Sequence, residues 1–427
     1  MSNSEREKDD GPSQKLRFPE FDGLPIHPVC LGDVTEEPST RNLGQLPSEF
    51  VMGVRKDEGI VPMEGRLIAE NTSRYKIVKK DWFAYNPMRL KIGSIARWQG
   101  QEDVLVSPDY VVFRCRDEPK LVKVLPAYLD QFRGSDEWNA FVNGSGDGGV
   151  RIRIYFRDLA RMPLLLPNPD EQQVIVACLK SVDDLIEAET EKLAAWRDHK
   201  TGLMQQMFAP SDKSIPSLRF PKYKSGGAWT HKPLGPNTTK VGSGTTPRGG
   251  SSVYSSSGRP FLRSQNIGWG RLRLEELAYI DEALHAASAA SEVQTGDVLL
   301  NITGASIGRS TVADSRVSGG NVNQHVCIIR LKQKGFLPEY LCHFLVSPYG
   351  QAQIDSFQAG GNRQGLNFEQ IRSFSIPAPP DIDEQKCIAD CLSVLDLCIT
   401  SQIKRIEGLR AHKSGLMQKL FPRTRMR

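Results

Sequence analysis

The chain has 427 residues, of which 39% are hydrophobic and 25% charged, and a formal net charge of +5. That length suits two or three domains, and the composition is that of a soluble globular protein. No apolar run reaches the ~18 residues of a membrane span, the polar start MSNSEREKDDGPSQ is not a signal peptide, and the charge permits DNA binding without arguing for it. Eight cysteines stand at 30, 115, 178, 327, 342, 387, 391 and 398. None forms a C-x-x-C pair, which argues against a zinc ribbon or a thioredoxin-like motif and for reduced thiols.

In chain order, residues 1–14 read as a disordered lead-in and 15–166 as a first domain. Within it YVVFRC (110–115) has the apolar character of a strand, and PAYLDQF (126–132) and EWNAFV (137–142) that of short helices. A long helix is expected over 167–209, a linker over 210–217 and a second domain over 218–379. In that domain GDVLLNI (296–302) and HVCIIRL (325–331) read as buried strands, and PEYLCHFLVS (338–347) and GQAQIDSF (350–357) as helices. A second long helix over 380–422 and a basic tail, 423–427, complete the chain.

The order is that of a duplication. HKTGLMQQMF at 199–208 returns as HKSGLMQKLF at 412–421, and DEQ at 170–172 returns at 383–385. LPAYL at 125–129 matches LPEYL at 337–341, FRDLARM at 156–162 matches FEQIRSF at 368–374, and LRFPEF at 16–21 matches LRFPKY at 218–223. The middles of the two copies, about 35–120 and 238–333, barely match. A constant frame therefore carries a variable insert, twice.

The constant part is a heptad stripe. Ile175, Leu179, Val182, Ile186, Leu193, Trp196 and Leu203 follow steps of four and three, continuing to Met207. The second copy repeats them as Ile388, Leu392, Leu395, Ile399, Ile406, Leu409, Leu416 and Leu420. Holding a 3.5-residue period this long favours helix-on-helix supercoiling. Glu189/Gln402 and Lys200/Lys413 interrupt both stripes alike, either fixing register or reaching out to water. Asp170 and Asp383 suit N-caps or first-turn acids. A helix of ~40 residues is ~60 Å long. The expected fold is α+β: two similar α/β domains separated by two long antiparallel helices, with a pseudo-two-fold internal repeat.

Polar, glycine-rich loops punctuate the second insert. They carry Thr245, Thr246, Arg248, Arg263, Ser264, Gln265, Asn266, Asn301, Thr303, Ser306, Arg309, Asn323, Gln324, His325, Asn362, Arg363 and Gln364. Asn and Gln can pair bidentately with adenine and Arg with guanine, while hydroxyls and backbone N–H groups hold phosphate. The first insert offers Arg74, Lys76, Tyr85, Asn86, Arg89, Lys91, Arg97, Gln99, Arg151 and Arg153, basic groups interleaved with aromatics and suited to phosphates. Catalytic motifs are missing. GSGTTPRGG (242–250) lacks the ending of a phosphate loop, YNPM (85–88) only begins like an adenine-methyltransferase motif, and no hydrolase, zinc-protease or nuclease pattern occurs. No catalytic or metal-binding residue is expected. His199 and His412 are expected to face a partner or the other helix.

Two variable domains, each followed by a related long helix, resemble the specificity subunit of type I restriction-modification systems. The resemblance rests on PNPDEQ (167–172), PDIDEQ (380–385), GLMQQMF (202–208), GLMQKLF (415–421), FLRSQNI (261–267), GDVLLNITGASIGRS (296–310) and NVNQHVCIIRL (321–331). RLKIGSIARW (89–98) approximates the GDVLLNITG stretch in the first domain. The resemblance implies target-recognition domains that each read half of a bipartite double-stranded DNA site, and helices that set the spacer and dock two modification subunits. Those partners would use S-adenosylmethionine to methylate adenine N6. Two restriction subunits, where present, would use ATP and Mg. This chain would hold no cofactor and no membrane contact. The alternatives are a coiled-coil protein-interaction scaffold and the specificity subunit of another methylation-based defence system.

Overall fold

The computed structural model describes residues 16–63, 71–145, 153–247, 249–358 and 365–423. The expected lead-in and the end of the basic tail, with Arg151, Arg248, Asn362, Arg363 and Gln364, lie outside them. The chain divides into two compact units, one of Met1–Glu189 with Arg405–Arg427 and one of Thr190–Lys404. Each unit thus contains the start of one long helix and the end of the other. The helices run Pro169–Met207 and Ile382–Leu420, each of 39 residues.

In unit 1, His27–Cys30 pairs antiparallel with Pro163–Leu166. A four-stranded sheet has the order Thr35–Glu36, Val111–Cys115, Phe83–Tyr85, Ile95–Arg97. In unit 2, Thr230–Pro233 pairs with Ser375–Ala378 in the same way. Its four-stranded sheet has the order Thr238–Ser243, Val326–Leu331, Val298–Asn301, Ser310–Val312. A three-stranded sheet, Ala278–Ile280, Arg259–Leu262 and Asn321–Val322, stands beside it. The apolar runs read as strands and short helices adopt those forms. One alignment needs correcting. By sheet order, Phe83–Tyr85, not 89–98, takes the place of Val298–Asn301. KIGSIAR falls opposite the stretch that follows, so Gly93 (φ 86°) corresponds to Gly308 (φ 83°), both in left-handed turns.

The repeated motifs are explained by contacts made twice. Arg17 of the first LRFP bonds Glu171 at 2.7 and 3.0 Å, and Arg219 of the second bonds Glu384 at 2.6 and 2.8 Å. The amide oxygen of Gln172 accepts from Leu125 N at 2.8 Å, and that of Gln385 from Leu337 N at 3.0 Å. DEQ therefore ties each helix start to the LRFP turn and to the LPxYL helix. Phe421 stands edge-on to Tyr128 and Phe132 at 5.2 and 5.3 Å, and Phe208 to Tyr340 and Phe344 at 5.3 and 5.5 Å. Each unit's core is thus closed by the end of the long helix that began in the other copy of the repeat.

The heptad stripes are buried or half-buried throughout. Ile175, Leu179, Leu193, Ile388, Leu392, Leu395, Ile406 and Leu420 are buried, and Val182, Ile186, Trp196, Leu203, Ile399, Leu409 and Leu416 are half-buried. In unit 1, Asp183 pairs with Lys413 at 2.7 Å and Glu189 with Arg405 at 2.6 Å, so the two helix segments run antiparallel. In unit 2, Lys200 pairs with Asp396 at 2.6 Å. Asp183 and Asp396 are repeat equivalents, as are Lys413 and Lys200. Lys200 does not reach out to water: it is buried and bonded to both oxygens of Asp396. Asp170 and Asp383 are first-turn acids, while Asn168 and Asp381 accept from the free N–H groups of Glu171 and Asp383.

Candidate nucleic-acid interface

In unit 2 the sheet brings several predicted residues together. Ile302 N donates to His325 O at 3.0 Å, and Asn301 N to Arg309 O at 2.8 Å, so the end of Val298–Asn301 is stitched to the residues that lead into both of its neighbouring strands. Across their ends runs a chain of side chains. Thr246 Oγ1 donates to Gln324 Oε1, Gln324 Nε2 meets His325 Nε2 at 3.1 Å, and His325 Nδ1 meets Thr303 Oγ1 at 2.6 Å. An amide N–H on Nε2 leaves the imidazole proton on Nδ1, which then donates to Thr303. Gln324, Thr245 and Thr246 are exposed and His325 and Thr303 half-buried. This is a pre-aligned row of donors and acceptors of the kind that meets base edges. Ser306 and Arg309 lie half-buried on the adjoining loop, and Arg309 Nε is buried with no acceptor.

The next loop is held differently. Arg263 stacks over Tyr254 at 5.3 Å and donates to Glu276 O, and exposed Gln265 bonds the Glu276 carboxylate at 3.2 Å beside half-buried Ser264. Three asparagines named as contacts are structural instead. Asn266 is buried, accepting from Arg263 N and donating to Arg273 O. Asn301 is fully buried with its amide on Ser264 O, and buried Asn323 accepts from His325 N. Buried amides bonded to backbone shape the loops, although Asn301 Oδ1 is buried without a partner.

In unit 1 the predicted residues separate. Tyr85, which pairs with Ile95 as Leu300 pairs with Ser310, is fully buried and edge-on to Phe113, so it is core; burial pushes its phenol well above the ordinary range. Arg97 is held between Asp81 at 2.6 Å and Asp130 at 3.2 Å, leaving its charge neutralised inside the fold. Lys91 donates to Asn143 O at 3.0 Å. Arg74, Arg89 and Gln99 are exposed. Lys76, Asn86 and Arg153 do meet, around a cavity of about 410 Å³ that Tyr110 and Tyr155 also line. Lys76 Nζ donates to Tyr110 O at 2.6 Å, and Arg153 reaches the Tyr155 hydroxyl at 3.4 Å. Glu37 and Asp109 on the same wall make this a mixed-charge surface. Tyr155, 39% exposed, was missed: its signal was an aromatic next to the RIRI basic run.

His199 and His412 are exposed on the helices. Among the described residues no cluster of metal-ligating side chains occurs, and no helix is long and apolar enough to cross a membrane.

A duplicated frame carrying two dissimilar loop-bearing inserts defines the class of fold, and comparison with known proteins specifies it. Residues 285–410 match the type I restriction modification DNA specificity domain. The type I restriction enzyme MjaVIII specificity subunit of Methanocaldococcus jannaschii is 22% identical over 262 residues, 60% of each chain. The chain assigned as the MjaX specificity subunit of the same organism is 27% identical over 168 residues, 38% of this chain and 39% of that one. The matched segments thus span between about two fifths and three fifths of those relatives. The S subunit of a type I restriction-modification system from M. genitalium shares the fold with a TM-score of 0.56 at 14% identity, over 96% of this chain and all of that one. A chain from a structure of type I R-M complex assembly and conformational transition gives 0.58 at 17% identity, covering 93% and 98%. Residues 285–410 thus match a type I DNA specificity domain, and the chain as a whole is similar in sequence and fold to type I specificity subunits.

Proposed function

We propose that this chain is the DNA-reading subunit of a type I restriction-modification complex and that each unit reads one half of a bipartite duplex target. The observation that carries this reading is the contrast inside one repeat. Frame residues recur with their contacts, while the inserts present different polar surfaces, as two different half-sites require. The row Thr246–Gln324–His325–Thr303 reads bases in one half. In the other half, Lys76, Asn86 and Arg153 contact the duplex. The helices set the spacer and dock two modification subunits, which bind S-adenosylmethionine and methylate adenine N6. Restriction subunits, where present, supply ATP- and Mg-dependent cleavage. This chain works in the cytoplasm and contributes neither cofactor nor catalytic group.

Exchanging residues 217–376 for the corresponding insert of another such subunit tests the reading. Sequencing the methylated sites of cells carrying the chimera should show one changed half-site and one retained. Changes in both halves, or in neither, overturn it.

A further inference from the structure

Unit 2 holds a cationic cavity that the reading above does not use. Its outer wall is the turn 267–272, closed by a bridge between Ile267 and Leu272 and by Gly268 N donating to Arg271 O at 2.9 Å. At its tip Gly270 has φ +74°, and a Cβ there would lie 3.4 Å from Asp396 Oδ2 and 3.8 Å from Lys200 Nζ. The turn therefore rests directly on the Lys200–Asp396 ion pair, and its left-handed φ at Gly270 is the conformation that favours glycine. Trp269, 47% exposed, and Arg271 flank that glycine. With Arg273, and with Arg197, Lys200 and Thr201 of the first long helix, they line a cavity of about 320 Å³.

The charges do not balance. Lys200 occupies both oxygens of Asp396, the one carboxylate on the wall. Among the described residues the guanidinium groups of Arg197, Arg271 and Arg273 have no hydrogen-bond acceptor, and Arg273 Nε is buried without one. Arg271 feels the Asp396 charge without bonding it. Arg197 and Arg271 are exposed and Arg273 half-buried on one small wall, where like charges repel and the buried Arg273 donor left unpaired is costly. Such a set is stabilised by an anion that several forks can share, and phosphate fits that geometry better than a single carboxylate. Beside the cations, Trp269 offers a flat aromatic face, and Met204, Val346 and Ile399 add apolar wall. The volume lies within the range of small-molecule sites, about 300–1,000 Å³.

We propose that this cavity binds a nucleoside phosphate, its base against Trp269 and its phosphate among Arg197, Arg271 and Arg273. The site joins frame to insert. Arg197, Lys200, Thr201 and Asp396 have repeat counterparts in Arg410, Lys413, Ser414 and Asp183, whereas Trp269, Arg271 and Arg273 lie in the stretch that does not repeat. A bound ligand ties the variable turn to the helices. None of Thr246, Thr303, Gln324 and His325 lines the cavity, so the proposal goes beyond the target-reading surface.

Calorimetric titration of the full-length chain with AMP, ATP and inorganic phosphate tests it. AMP and ATP should saturate one site, and both more tightly than phosphate. Trp269→Leu should weaken AMP about fivefold or more, the loss of one base–aromatic stack. Arg271→Gln with Arg273→Gln should weaken it by roughly a hundredfold, as two charge-assisted bonds are lost. Arg197→Gln, on the helix, should weaken AMP tenfold or so without touching the turn, which separates ligand loss from a misfolded loop. No saturable nucleotide binding at millimolar concentration overturns the proposal, as does binding that survives these changes or binding of phosphate as tight as AMP. A mixed-sequence DNA duplex added to the AMP complex identifies the source. Displacement places the ligand in a nucleic-acid strand, and no displacement makes it a free nucleotide; either supports the site. Gln324→Ala and His325→Ala should leave AMP binding intact, so a failed half-site exchange and a failed nucleotide site are told apart.

Discussion

The two units solve the same anchoring problem with the same residues and present different surfaces on top. In both, a glutamate at the helix start holds an arginine, a glutamine holds the next helix, and a phenylalanine closes the core. Above that frame unit 2 displays a bonded row of hydroxyl, amide and imidazole groups, whereas unit 1 neutralises much of its charge internally, as in Arg97 with Asp81 and Asp130 and Arg114 with Glu36 and Asp117. Polar residues that recur are anchors. Those that do not recur are where, under the proposed function, the two halves of a target would be told apart.

The strongest test of this equivalence lies in the cores. Phe208→Ala and Phe421→Ala should each cost about 3–5 kcal/mol, since each empties a fully buried aromatic position. Urea denaturation of both variants measures this, and a loss confined to one breaks the parallel. The arginine anchors should sharpen it. Arg219→Leu leaves the Glu384 carboxylate buried and unpaired, at a cost of about 3–5 kcal/mol. Arg17→Leu should cost less, because its side chain is 13% exposed against 5% for Arg219 and water can take its place. The reverse order in the same experiment would mean that the two anchors are not equivalent.

The smallest effect tests a group found in one unit only. His343 is buried beside Lys200 and Asp396, and its Nε2 meets Ser393 Oγ at 3.1 Å. Burial, then the Lys200 charge, lowers its pKa to about 3. The folded state therefore resists a proton that the unfolded chain accepts near pH 6.5. Stability is unaffected above that pH and is lost as pH falls from there toward 3, with about 2 kcal/mol gone by pH 5. His343→Gln should remove that part of the acid sensitivity, seen as a flatter melting temperature between pH 7 and 5 relative to the parent. A variant that keeps the parent's slope would show that His343 is not its source.

The heptad spacing, the 213-residue offset of the helices and the strand and helix runs were legible because periodicity is a local property of the chain. The first insert was harder. Phe83–Tyr85 is a three-residue strand too short to show alternation, so the neighbouring RLKIGSIARW drew the match meant for it. Among the candidate contacts, Asn266, Asn301, Asn323 and Tyr85 proved to be buried, because polarity marks a hydrogen-bonding group without saying whether its partner is backbone or solvent. Trp269 and Arg271 were passed over within the polar stretch 263–271, since nothing local there announces a cavity completed by Arg197 and Arg273.

By itself the sequence determined the duplication, the two long helices and the kind of chemistry the inserts offer, because repeat, period and side-chain type are carried along the chain. Only the tertiary structure decided which half of each helix joins which unit, which polar groups are used up inside, and which cations face an empty space. Those outcomes depend on burial and on partners hundreds of residues away, and a charge is available for binding only when no nearer group has already neutralised it.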